Sequence, residues 1–118
     1  MSQLNIYIGY DSKEDIAYRV CKHSILKRSS IDIKVYSLKL QELIARNLYF
    51  RTIDPLASTE FTYSRFLVPT LSGYKGWAIF CDCDFIFLKD ISLILNNLDN
   101  SKAVYCVKHD YTPKEKHK

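Results

Sequence analysis

The chain has 118 residues, 47% apolar and 25% charged, with a formal net charge of +4. That suits one modest domain and is too apolar for a disordered chain. The cations gather in Lys22/Lys27/Arg28 and in Lys114/Lys116/Lys118, the pattern of a solvated helix face and a chain end. Without a recognition-helix or aromatic RNA-binding signature they give no reason to expect a nucleic-acid partner.

Leu4 to Gly9 alternates and is rich in β-branched and aromatic residues, which predicts a first strand. A turn, Tyr10-Asp11-Ser12-Lys13, follows, and Ser12 or Asp15 is placed to cap a helix over Asp15–Arg28. On that helix Ile16, Ala17, Val20, Cys21, Ser24 and Ile25 share a face at spacings of three and four. Ile31 to Leu38 predicts a second strand, completing a βαβ unit with a right-handed crossover. A short helix is expected over Leu40–Leu48 and irregular chain over Tyr49–Ser58. A third helix is expected from Phe61 to about Val68, ended by Pro69. Gly73 and Gly76 turn the chain into Trp77-Ala78-Ile79-Phe80-Cys81, an apolar run that predicts a buried strand. Asp90 is placed to cap a fourth helix, Ile91–Asn97, and Ala103–Val107 is expected as a further strand. The alternation predicts a single α/β domain over residues 1–118, a mainly parallel sheet with helices on both faces. Ligands of such sheets bind outside the carboxyl ends of the strands, so the loop after the first strand and the loop after Cys81 are expected to share one crevice.

Met1-Ser2-Gln3-Leu4-Asn5 lacks the basic start and apolar run of a secretory leader, and no apolar stretch reaches membrane-spanning length. Cys21, Cys81, Cys83 and Cys106 show no disulfide framework. The expectation is a protein with reduced thiols, in the cytoplasm or at a membrane's periphery, with no transmembrane segment.

The chemistry concentrates in Asp82-Cys83-Asp84. Strand alternation turns both carboxylates one way and Cys83 the other. Two carboxylates at the mouth of a sheet suit a hard cation whose remaining ligands are water and a substrate phosphate, the habit of Mg²⁺ and Mn²⁺. The competing reading is an acidic loop that caps backbone amides. Cys81 and Cys83 lack the second ligand pair of a structural zinc, since Cys21 and Cys106 are isolated in sequence. Cys83 reads equally as a small core residue. Asp11 could accept from the imide N–H of a uracil ring with Tyr10 packed nearby, or could build an Asx-turn. Arg65 could reach a phosphate or a sugar hydroxyl, or pair with a nearby carboxylate. His23 reads as a surface or satisfied histidine, and no role is assigned to His109 or Asp110. Three glycines supply neither a Walker A loop nor Gly-x-Gly-x-x-Gly, against P-loop NTPases and dinucleotide dehydrogenases.

Three stretches together resemble the nucleotide-sugar glycosyltransferases of the GT-A fold, most nearly those of family 8. They are Ile6-Tyr7-Ile8-Gly9-Tyr10-Asp11, Thr62-Tyr63-Ser64-Arg65-Phe66 and Phe80-Cys81-Asp82-Cys83-Asp84-Phe85-Ile86-Phe87. The resemblance runs from Ile6 to about Tyr111. It implies a Rossmann-like GT-A domain, a UDP-sugar donor, a saccharide or glycan acceptor, and Mn²⁺ (or Mg²⁺) at Asp82 and Asp84. Gly9, Tyr10, Asp11, Arg65 and Cys83 would be donor-binding. Glu14 stands near the place where the family often stacks an aromatic on the base, with Tyr10 and Tyr18 as substitutes. The family continues well past its metal motif, so this chain is expected to be the donor-binding part, with catalytic residues in the C-terminal part and sheet edges open to self-association. A non-catalytic nucleotide-binding remnant or interaction module is the alternative.

Overall fold

A computed structural model describes residues 4–107. His109, Asp110 and the lysines of the chain end lie outside the described residues. Three parallel strands, β1 (Leu4–Gly9), β2 (Ile33–Leu38) and β3 (Ala78–Cys81), form a sheet in the order β2-β1-β3. Leu4 stands opposite Ile33 and Gly9 opposite Leu38, while on the other side Asn5 meets Ala78 and Ile8 meets Cys81. Three helices complete the frame: α1 (Asp15–Arg28), α2 (Leu40–Ala45) and α3 (Val68–Leu71). The protein is therefore an α/β domain with a parallel, Rossmann-like sheet.

Central strand β1 is covered on both faces, as parallel sheets require. On one face Leu4, Ile6 and Ile8 pack with Cys21 and Ile25 of α1 and with Phe61, Cys81, Cys83 and Ile91. On the other, Tyr7 packs with Leu38, Leu43 of α2 and Val68 of α3. Phe80 touches both clusters.

Several expectations are corrected. The inward arc of α1 holds Ala17, Tyr18, Cys21, Ser24 and Ile25, while Ile16 and Val20 face solvent at 78% and 45% exposure. The helix start is prepared by Asp11, not by Ser12 or Asp15. Its carboxylate accepts from the Lys13 N–H and caps a 3₁₀ turn, Ser12–Glu14, that leads into α1. Helix α2 ends at Ala45, before Asn47 takes a positive φ of 58°. Phe61–Val68 is not one helix. A 3₁₀ turn over Ser64–Leu67 runs into α3, and Pro69 sits in the first turn of α3, where its missing N–H costs nothing. Ile91–Asn97 is a 3₁₀ helix capped by Asp90. Ala103–Val107 forms no strand: it is exposed and has no ladder partner among the described residues. No helix of the described residues is long and apolar enough to cross a membrane.

Candidate functional site

Because β1 and β3 are adjacent and parallel, Gly9-Tyr10-Asp11 and Asp82-Cys83-Asp84 leave the sheet at the same, carboxyl, end. Asp11 is 6% exposed. One of its oxygens accepts the Lys13 N–H at 3.0 Å and the other the Glu60 N–H at 3.3 Å. The Glu60 carboxylate in turn accepts the N–H and hydroxyl of Ser12 at 3.0 and 2.6 Å. Asp11 thus builds an Asx-turn and also ties the loop after β1 to the Thr59–Glu60 segment. Its charge is met by backbone N–H groups; among the described residues no cation lies within 4 Å of it.

Phe61 follows directly, buried over the end of β1. A Cβ on residue 9 would stand 2.6 Å from its ring, so only glycine fits there. Arg65 reaches back over the same ring. Its guanidinium carbon is 5.5 Å from the centre of Phe61 and 5.4 Å from that of Phe80, a cation–π arrangement. Its Nε donates to the Phe61 carbonyl at 3.4 Å, and its Nη1 lies 4.0 Å from Oδ1 of Asp82. Both side chains are part-exposed, 35% and 43%, so the pair contributes at most about 1 kcal/mol to stability. Its interest is positional, since it unites two residues expected at the site.

The strand ends at Cys81, and Asp82-Cys83-Asp84 leaves it as a turn. Cys83 goes inward at 4% exposure, Asp82 is half-buried and Asp84 is exposed. Burial pushes the Cys83 thiol up, and the Asp84 carboxylate adds to this, with Glu14 and Asp11 contributing further. Cys83 is therefore a buried thiol of the core, in one cluster with Ile8 and Phe61. Tyr10, half-buried, donates to Oδ1 of Asp15 at 2.6 Å, a bond that raises its phenol pKa. Its ring meets Tyr18 edge-on at 5.3 Å and lies 4.9 Å from Nζ of Lys39. A hollow of about 110 Å³ beside Asp11 is lined by Lys13, Tyr49, Asp54, Glu60 and Tyr63. The Tyr63 hydroxyl donates to Asp54, and Arg51 caps the Tyr63 ring at 3.9 Å.

Among the described residues no three His, Cys, Asp or Glu side chains converge on a cation position. Asp82 and Asp84 offer two carboxylates at most, a number that fits Mg²⁺ or Mn²⁺ completed by water and phosphate and does not fit a closed structural site. Two features escaped the sequence. Phe61 was read only as the start of a helix, and Glu60 before it was given no part in the site, although a glycine at the end of a buried strand is itself a sign of close approach. Cys21 and Cys81, 60 residues apart in the chain, stand with their sulfurs 3.9 Å apart. Hydrogen bonding to Cys21, together with burial, pushes the Cys81 thiol well up.

No family model and no solved structure matches the chain. It is 52% identical over 110 residues to Protein CDI of Arabidopsis thaliana. The alignment takes in 93% of this chain and 42% of that protein, so the chain spans about two fifths of the length of the relative it matches.

Proposed function

We propose that this chain carries the nucleotide-sugar-binding part of a glycosyltransferase of the GT-A, family 8-like type, taking a UDP-sugar donor with Mn²⁺ or Mg²⁺ at Asp82 and Asp84. The observation that carries the reading is the approach of Arg65 to Asp82 at the carboxyl end of β3, next to the loop of Asp11. It gathers carboxylates for a cation and a guanidinium for phosphate at the carboxyl end of the strands, where ligands of parallel sheets bind. When bound, the divalent ion would supply Lewis-acid neutralisation of the leaving diphosphate.

The protein's own part is positioning. Arg65, held by the Phe61 and Phe80 rings and the Phe61 carbonyl, turns its planar fork to the phosphates and stabilises charge there. Asp11 keeps lone pairs beyond its two backbone bonds for the imide N–H of uracil, with the hollow beside it for the base. Transfer breaks the bond from the anomeric carbon to the diphosphate oxygen, releasing UDP, and forms a bond from that carbon to a saccharide or glycan hydroxyl oxygen, whose proton passes to the leaving diphosphate or to water. The four free cysteines accord with a reducing, cytoplasmic setting.

Thermal melting tests the reading. With UDP at about ten times its Kd and Mn²⁺ present, binding adds about 1.4 kcal/mol and raises Tm by about 5 °C. EDTA removes the shift, and so does the Asp82→Ala/Asp84→Ala double variant. Arg65→Ala weakens the response to UDP. A cooperative melt indifferent to UDP and Mn²⁺ would sink the reading.

A further inference from the structure

Among the described residues the outer edge of β2 is open. The Leu4 N–H donates to the Asp32 carbonyl at 3.4 Å and the Tyr10 N–H to that of Leu38 at 3.3 Å. Residues 32, 34, 36 and 38 therefore turn their backbone groups toward β1. Successive residues alternate along a strand, so Ile33, Val35 and Ser37 present their N–H and C=O groups outward. Among the described residues no backbone group meets them.

This edge lies in a hollow of about 430 Å³ walled from both faces of the sheet. Tyr18 and Lys22 of α1 stand on one side and Tyr36 and Arg46 on the other, with Lys39 just past the end of β2 near Tyr10. Tyr36 stacks on Tyr7 with ring centres 5.0 Å apart and stays 39% exposed, leaving ring surface for an apolar side chain. Lys22, Lys39 and Arg46 make no ion pair among the described residues, and Glu42 is the one carboxylate of the lining. The hollow thus combines unpaired strand donors and acceptors, an aromatic platform and excess positive charge.

We propose that β2 is a docking edge for an extended acidic segment of a partner protein, which adds to the sheet as a fourth strand. Backbone bonds to Ile33, Val35 and Ser37 supply the pairing, the tyrosines take alternate apolar side chains, and the cations select acidic ones. Charge argues against a second copy as the occupant, because two such edges would bring Lys22, Lys34, Lys39 and Arg46 of each chain together. The inference stands apart from the donor site, since it uses none of Asp11, Arg65, Asp82 or Asp84.

The test is fluorescence anisotropy of a labelled peptide of about seven residues alternating glutamate and valine, titrated with the full chain. A lysine–valine peptide and a glutamate–valine peptide N-methylated at alternate amides serve as controls. The acidic peptide is expected to bind at least about tenfold more tightly than the basic one and to weaken as salt rises from about 50 to about 500 mM. N-methylation abolishes binding, and Lys22→Glu/Arg46→Glu reverses the charge preference. Val35→Pro removes an outward N–H and no bond to β1, so it weakens binding; should it not fold, the N-methylated peptide carries the backbone test. No binding of the acidic peptide, equal binding of both charges, or binding unchanged by N-methylation would overturn the proposal.

Discussion

Phe61 dictates what residue 9 can carry. The ring fills the space of a side chain there, so Gly9→Ala forces either the ring or the end of β1 to move. Overpacking of this kind costs about 1–3 kcal/mol, and chemical denaturation should show that loss. Phe61→Leu in the Gly9→Ala background should recover part of it, because the shorter side chain vacates the ring's position. The same ring carries the Arg65 guanidinium, so the proposed donor site predicts a lower UDP affinity for Gly9→Ala. Asp82 and Arg65 were legible in the sequence because the strand-end rule and a short motif name them. The Gly9–Phe61 contact was not, because it joins residues whose proximity only the folded chain creates. Asp11 had two readings in sequence; its buried bonds to the Lys13 and Glu60 N–H groups show the turn, and the uracil contact stays part of the proposal.

The 3₁₀ helix Ile91–Asn97 rests on Asp90. Its carboxylate accepts the Ser92 N–H at 2.9 Å and the Ser30 N–H at 3.0 Å, tying the helix start to the segment after α1. Hydrogen bonds from Ser30 and Ser92 hold its pKa at about 2, below the ordinary 3.8. The folded value lies below the unfolded one, so the ionised cap stabilises the fold above about pH 4 and loses that effect as pH falls toward 2. Asp90→Ala should therefore melt below the wild type at neutral pH, with the gap closing between about pH 4 and pH 2. Among the elements, β1 and α1 were read with the bounds they have, although the stripe on α1 was misread at Ile16 and Val20, which face solvent. Pro69 misled because proline ends a helix when it stands inside one but suits the first turn when it stands at the start. Ala103–Val107 has β-branched residues, but a strand also needs a neighbour to pair with, and composition does not supply one.

Two apolar clusters, one on each face of the sheet, share Phe80 and the central strand. That sharing predicts that the described fold melts as one cooperative unit. Phe80 is half-buried, so Phe80→Ala should cost about 2–3 kcal/mol, somewhat less than the loss of a fully buried ring. Near-ultraviolet and far-ultraviolet melts of the variant should still coincide. A domain of this size holds about 5–15 kcal/mol in all, so the loss is a large share. The order β2-β1-β3 also fixes a timetable. Strand β1 is made first, finds β2 after one helix, and waits for β3, whose Ala78 must come to Asn5 across most of the chain. During synthesis the β1–α1–β2 unit is complete while β3 is still to be made, with the inner edge of β1 uncovered. Parallel pairing over so long a separation is slow, and closure of the sheet by β3 is the step at which a nascent chain is most exposed to misassembly.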